Sequence, residues 1–190
     1  MTGFRTAVVL SWGILAATVG TQQPKENPKV NPDAQLLVDF KQRIDKYVDL
    51  HKRLEKQAPP LKETDDPAKI KASQEGLAAA IRRERATARQ GEIFTPEIAH
   101  LFRQLMYPET KGQRGAETKK TIKEDAPVAV PIKVNARYPD AAPLPTVPPN
   151  LLARVPQLPE ELEYRIIGRD LILRDVHANV IVDVLPNAIR

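Results

Sequence analysis

Histidines and nearby carboxylates are the residues of this chain whose types and spacing could support metal chemistry. Glu97 and His100 have the Glu-x-x-His spacing that aims two ligands inward from one helical turn in di-iron bundles. Such a site needs the motif twice and two further carboxylates, whereas the motif occurs once here. We therefore interpret Glu97 as an acid of a first helical turn and His100 as a residue on a helix flank.

The other two histidines are interpreted as structural. His51 falls on the apolar stripe of a predicted helix, where a core histidine with satisfied hydrogen bonds is the default. Asp175 and His177 place two ligand types on one side of a strand, but His177 adjoins a turn, and a polar turn is favoured. Three dispersed histidines and no cysteine predict no tight site for nickel, cobalt or zinc, which prefer clustered imidazole or thiolate ligands. We expect no metal and no cofactor.

Nucleophilic catalysis is also disfavoured by the sequence. Cysteine is absent, and Ser73 is the only serine after residue 20. Ser73 lies within a predicted helix and lacks the glycine-bounded elbow that exposes a catalytic serine. No glycine-rich phosphate loop is present. We therefore expect that the protein is not an enzyme, unless a partner completes a site.

A basic cluster is the candidate site for an anionic partner. It consists of Arg82, Arg83, Arg85 and Arg89. Three of them are spaced i, i+3, i+7, which would place them on one helix face and form a patch for phosphate groups or acidic polymers. The alternative is a solvated face whose cations favour the negative helix end. No interleaved aromatic residues support nucleic-acid binding, although the formal net charge is +5.

The first half of the chain predicts a small antiparallel bundle of about three helices over residues 32–107. Helix starts are indicated at Asn31-Pro32, Asp66-Pro67 and Thr95-Pro96, where a capping residue precedes a proline in the first helical position. Apolar residues recur every three or four positions after each start. Three such stripes can be buried together.

The second half predicts a linker followed by a sheet, so the fold class is α+β. Residues 108–160 are charged and then proline-rich, which favours extended backbone, either as a spacer or as a segment that lies across another surface. Residues 161–190 predict a three-stranded antiparallel β-meander. Turns at 168–169 and 178–179 would pair Tyr164 with Leu173, Ile166 with Leu171, Arg174 with Asp183 and Leu173 with Val184.

One face of this meander is a candidate docking surface, because three short strands bury too little surface to be stable alone. It comprises Tyr164, Ile166, Leu171 and Leu173. This face would pack either on the helical bundle or on a partner. The sequence alone leaves both alternatives open, together with the oligomeric state.

Residues 1–20 have the pattern of a signal peptide, with Arg5 before an apolar run at 7–19 and small residues at 18 and 20. Residues 21–31 are polar and predict a disordered lead-in. No later apolar run is long enough to predict a membrane span. Export without cysteine is more typical of bacterial envelopes than of eukaryotic extracellular space, so we expect a periplasmic or secreted bacterial protein.

The stretch from Tyr164 to Leu173, followed by Val180-Ile181, resembles the terminal hairpin of periplasmic nickel/cobalt homeostasis (RcnB-like) proteins. Asn179 stands where that family tends to have glycine, and no set of metal ligands carries over. The resemblance implies an envelope location. The whole chain also resembles a family of uncharacterised secreted bacterial proteins.

These observations predict a non-enzymatic accessory protein. Its role would be to bind or scaffold an envelope partner, which we expect to be a protein or an anionic surface. The alternative function is that of a periplasmic metal-homeostasis factor of the nickel/cobalt type. An enzyme completed by a partner is the least favoured alternative.

Overall fold

The first three helices begin where the sequence indicates. The computed structural model describes residues 31–57, 65–124 and 130–189, so the predicted signal peptide and most of the lead-in lie outside the described residues. Asn31 accepts a hydrogen bond from a backbone N–H two residues later at 3.0 Å, and Asp66 does the same at 3.0 Å. Thr95 caps the third helix. Each cap satisfies a donor that the first helical turn leaves unpaired.

The fold is α+β, as predicted, with helices followed by a C-terminal three-stranded antiparallel sheet. The elements in chain order are α1 Pro32–Gln57, α2 Pro67–Glu84, α3 Pro96–Met106, a 3-10 turn at Tyr107–Thr110, α4 Gly112–Glu124, α5 Pro149–Leu152, β1 Leu162–Ile167, β2 Asp170–Asp175 and β3 Val180–Leu185.

Helix α4 lies inside the stretch that the sequence analysis assigns to a linker. It was missed because its buried face is narrow and polar in part. Thr118 and Ile122, one turn apart, are buried on an otherwise charged helix. The helix also packs closely on the preceding turn, since a Cβ on Gly115 would lie 2.2 Å from the carbonyl carbon of Thr110. Only glycine permits that approach.

The β1–β2 register is confirmed. Tyr164 pairs with Leu173 and Ile166 with Leu171, across a turn in which Gly168 adopts φ 62°. A positive φ at this position suits a tight hairpin turn.

The β2–β3 register is wrong in the sequence analysis. Leu173 pairs with Asp183, and Arg174 pairs with Ile181, with an irregularity between them. The turn spans residues 176–179 instead of 178–179. Asp175 causes the longer turn, because its Oδ1 accepts the backbone N–H of Ala178 at 2.7 Å. Asn179 completes the turn with φ 53°, a conformation that asparagine tolerates better than most residues.

Both faces of the sheet are covered by the chain itself. One face packs on the helices, where the Phe102 ring of α3 lies 6.1 Å from the Tyr164 ring of β1 between centroids. The opposite face packs under the proline-rich segment, whose Tyr138 contacts the cluster formed by Ile172, Ile181 and Val184. This segment therefore lies across the sheet, which is one of the two roles predicted for it. Two-sided burial explains why all six residues of β3 are buried.

Among the described helices, none is long and apolar enough to cross a membrane.

Candidate functional site

The side chains with the most distinctive chemistry lie where α1 meets the β2–β3 turn. Tyr47, His51 and Glu55 stand four residues apart on α1, which places them on one helix face. Tyr47 and His51 contact Asp175 at the end of β2, and Glu55 contacts His177 in the turn. Residues more than 120 positions apart in the chain therefore meet at this junction.

Asp175 organises the buried part of the junction. It is 0% exposed. Its Oδ2 lies 2.6 Å from Nδ1 of His51 and also accepts a hydrogen bond from the Tyr47 hydroxyl at 2.8 Å. Because an ionised carboxylate only accepts hydrogen bonds, Nδ1 of His51 is the protonated nitrogen in this contact. The arrangement fixes the imidazole ring and leaves Nε2 as the atom available for other chemistry.

The environment alters the acid–base behaviour of both α1 partners. Burial lowers the pKa of His51, but the hydrogen bond and charge of Asp175, together with the charges of Glu55 and Glu161, raise it more, so the net pKa lies above 6.5. Burial, followed by the negative charge of Asp175, raises the pKa of the Tyr47 hydroxyl well above 10.0. Tyr47 is therefore a neutral hydrogen-bond donor at physiological pH, and the Arg85 guanidinium lies 5.2 Å from the centre of its ring.

Nε2 of His51 is buried and has no hydrogen-bond partner among the residues that the structure describes. Its nearest acidic oxygen is Oε2 of Glu55, at 3.7 Å, which exceeds hydrogen-bond distance. The other oxygen of Glu55 lies 3.2 Å from Nδ1 of His177. The two imidazole rings are 5.3 Å apart between centroids. A buried polar atom with no partner is unusual and requires a physical explanation.

These three side chains have the composition of a metal site. Within the part of the chain that the structure describes, one ligand atom from each of His51, Glu55 and His177 lies within 4.8 Å of the other two. Ligands around tetrahedral zinc stand about 3.3 Å apart, given metal–ligand distances near 2.0–2.1 Å. Glu55 and His177 are about half exposed. Their side chains can therefore rotate to bring the ligand atoms from within 4.8 Å of one another to the spacing that zinc requires, whereas His51 is held in place by Asp175.

This proximity corrects a premise of the sequence analysis. His51 is a core histidine, as interpreted, but its hydrogen bonds are only half satisfied. His177 does adjoin a polar turn, and that turn carries it to α1. The expectation of no tight metal site assumed dispersed histidines, and two of the three are neighbours. Glu97 and His100 are both exposed on α3.

The arginines of the basic cluster do not share one helix face. Helix α2 ends at Glu84, so Arg89 lies beyond it. Arg85 is 8% exposed and donates hydrogen bonds to Asn135, Glu92 and the Val182 carbonyl. Its guanidinium is therefore engaged in intramolecular hydrogen bonds and does not form part of an exposed basic patch. Arg82, Arg83 and Arg89 are exposed, and an anionic partner for them remains a prediction.

The candidate docking face of the meander is covered within the chain. Tyr164, Ile166, Leu171 and Leu173 are 5%, 1%, 1% and 0% exposed and belong to the core shared with the helices. The helical bundle is thus the surface on which this face packs.

A separate cleft of about 690 Å³ lies between α1 and the segment after α2. Its basic side chains are largely engaged with acids or carbonyls. Arg43 contacts Asp39 and the Glu92 carbonyl, and Arg53 lies 3.5 Å from Glu84. The three metal-type side chains do not line this cleft.

Comparison of the chain with known protein families, with curated proteins and with solved structures finds no match.

Proposed function

We propose that this chain is a non-enzymatic protein that binds a divalent transition-metal ion through His51, Glu55 and His177. The observation that carries the proposal is the buried Nε2 of His51, which has no hydrogen-bond partner in the described part of the chain and lies 3.7 Å from Glu55, beside a second imidazole. Asp175 supports the role because metal-binding histidines usually donate their other ring N–H to a carboxylate or carbonyl, which fixes the tautomer and orientation.

The ligand set favours borderline metals. Two imidazole nitrogens and one carboxylate oxygen suit zinc, nickel, cobalt and copper, whereas calcium and magnesium prefer oxygen ligands alone. Three protein ligands leave at least one coordination position open on a tetrahedral ion. This set supports the metal-homeostasis alternative raised by the sequence over scaffolding of an envelope partner.

Binding is proposed instead of catalysis because none of the three proposed ligands lines the cleft that could hold a substrate. The 690 Å³ cleft is lined by other residues. Ser73, the nucleophile considered in the sequence analysis, lies on α2. The signal-like pattern of residues 1–20 supports a periplasmic or secreted location as part of the same proposal.

A competition titration tests the proposal. The full chain without a histidine tag is titrated with Zn²⁺ against a chromophoric chelator, and the same is done for nickel and cobalt. We expect one ion per chain with a dissociation constant of about 1 µM or lower, which corresponds to about 8 kcal/mol. His177→Ala should weaken binding by about 100-fold, since a ligand is lost.

His100→Ala is the matched control, because it removes an exposed histidine that lies outside the cluster. It should leave the affinity unchanged. The proposal is wrong if the wild-type chain binds none of the three ions at micromolar concentration, or if the two histidine variants lose affinity equally.

A further inference from the structure

Building on the metal site proposed above, we infer that Glu161 supplies a fourth ligand to the bound ion. We further infer that Lys52 holds the Glu161 carboxylate while the ion is absent. Glu161 directly precedes β1, outside the group of three side chains already described.

The first observation is that the Glu161 carboxylate is buried with one oxygen unsatisfied. Glu161 is 3% exposed. Its Oε1 lies 2.9 Å from Nζ of Lys52, whereas its Oε2 is buried and finds no hydrogen-bond partner within the described ranges. A buried carboxylate is costly unless its oxygens are paired or coordinate a metal ion. Glu161 Oε2 and His51 Nε2 are thus two unpartnered buried atoms on residues that both contact this junction.

The second observation is the position of Glu161. Its backbone carbonyl accepts the N–H of Val176 at 2.9 Å. That bond ties Glu161 to the turn residue directly before His177. Its side chain reaches Lys52, which follows His51 on α1. Glu161 is therefore tethered to both chain segments that supply the three ligands.

Electrostatics agree with this placement. Burial raises the pKa of Glu161, but the hydrogen bond from Lys52, a backbone hydrogen bond and the charges of Lys52 and His51 together lower it below its usual value. The Glu161 charge in turn contributes to the raised pKa of His51.

Charge balance gives the ion a reason to recruit Glu161. A divalent ion with two neutral imidazoles and the Glu55 carboxylate retains one positive charge, and a second carboxylate neutralises it. Lys52 supplies a compensating cation when no ion is bound. Its side chain is 54% exposed, so it can move into water when the Glu161 carboxylate rotates towards the metal.

The test compares Glu161→Gln with Glu160→Gln in the zinc competition titration. Both variants remove one carboxylate at neighbouring positions, but Glu160 is exposed. We expect Glu161→Gln to weaken zinc binding by about 10-fold or more, since even residues that only orient a ligand contribute 10- to 100-fold. Glu160→Gln should change it by less than about 3-fold, as expected for a screened surface charge. Lys52→Met should tighten binding, because a competing cation is removed.

A double variant that removes both members of the Lys52–Glu161 ion pair is the control for misfolding caused by an unpaired buried charge. The Lys52→Met/Glu161→Gln double variant leaves no unpaired charge, and it should bind zinc about 10-fold more weakly than Lys52→Met alone. Equal affinities of these two proteins, or of Glu161→Gln and Glu160→Gln, overturn the inference. If His177→Ala still loses affinity in that case, the metal site stands without Glu161. If the wild-type chain binds no zinc, both proposals fail.

Discussion

Two buried aspartates on neighbouring strands of the sheet have opposite kinds of partners. Asp175 and Asp183 are both 0% exposed. Asp183 accepts backbone N–H groups from Gly91, Ile93 and Phe94 at 2.9, 2.7 and 2.8 Å. Asp175 instead accepts two side-chain donors from α1 and one backbone N–H from its own turn.

The difference separates a structural anchor from a residue that orients a ligand. The donors to Asp183 are backbone N–H groups of the loop after α2. Because these groups are part of the main chain, their hydrogen bonds fix that loop against β3. The side-chain donors of Asp175 include an imidazole whose other nitrogen is unpartnered. Two carboxylates of equal burial thus have different consequences, and the following substitutions test that distinction.

The largest effect on folding is expected at Asp183. Each carboxylate oxygen of Asp183 accepts two backbone N–H groups. Asp183→Asn replaces one oxygen by an NH₂ group that cannot accept, so two buried donors lose their acceptor at a cost of about 1–3 kcal/mol each. We expect the free energy of unfolding to fall by about 2–4 kcal/mol, measured by urea denaturation followed by circular dichroism. Asp170→Asn is the control, because Asp170 accepts a single exposed N–H on the same sheet and should cost less than about 1 kcal/mol.

The zinc affinity of the Asp183→Asn variant gives a second test of the difference between Asp183 and Asp175. At a urea-free condition where Asp183→Asn remains folded, its zinc affinity should match that of the wild-type chain. A large loss of affinity in this variant would show that the anchor and the metal site are not distinct.

The next effect is expected at Asp175, in metal binding. Asp175→Asn keeps the shape of the side chain but removes the charge that orients the imidazole, so zinc affinity should fall about 10- to 100-fold. The chelator competition measures this, with circular dichroism as the check on folding. Wild-type affinity in a folded Asp175→Asn variant would mean that Asp175 does not position His51 for an ion.

The smallest effect is expected at Tyr47. Tyr47→Phe removes one hydrogen bond to Asp175 and should lower the free energy of unfolding by about 0.5–1.5 kcal/mol at neutral pH. Because the folded-state pKa of Tyr47 is raised above 10.0, its stabilising contribution is complete below pH 10 and is lost as the pH rises through the folded-state pKa.

The variant should therefore lose less stability than the wild-type chain in alkaline solution above pH 10. Denaturation curves at neutral and alkaline pH measure this, with the exposed Tyr107→Phe as the control. Parallel loss of stability in both Tyr47→Phe and wild type above pH 10 would contradict the raised pKa.

The sequence was sufficient where local signals agree with the tertiary structure. Cap-proline pairs located the first three helices, and Gly168 with alternating apolar residues fixed the β1–β2 register. The β2–β3 register was mispredicted because Asp175 hydrogen-bonds within its turn, and a turn of four residues leaves no dipeptide signature. Helix α4 was missed because Ile122 is the one large apolar side chain on its buried face, beside Gly115 and Thr118.

The candidate site was not predictable from local patterns. His51 and His177 are separated by 126 positions in the sequence, and their contact depends on how the meander packs on α1. The i, i+4 spacing of His51 and Glu55 was present in the sequence. It was the one signal that could have indicated a two-ligand helix face, although it did not reveal the third ligand in the turn.

An anomalous-scattering map of zinc-loaded crystals of the full chain tests the central claim most directly. The claim is that Asp175 holds His51 so that its Nε2 ligates a metal ion. We predict an anomalous peak at the zinc edge about 2.0–2.1 Å from Nε2 of His51, with ligand atoms of Glu55 and His177 also within bonding distance. A map whose peaks lie only at exposed side chains such as His100, with none at His51, would contradict the account.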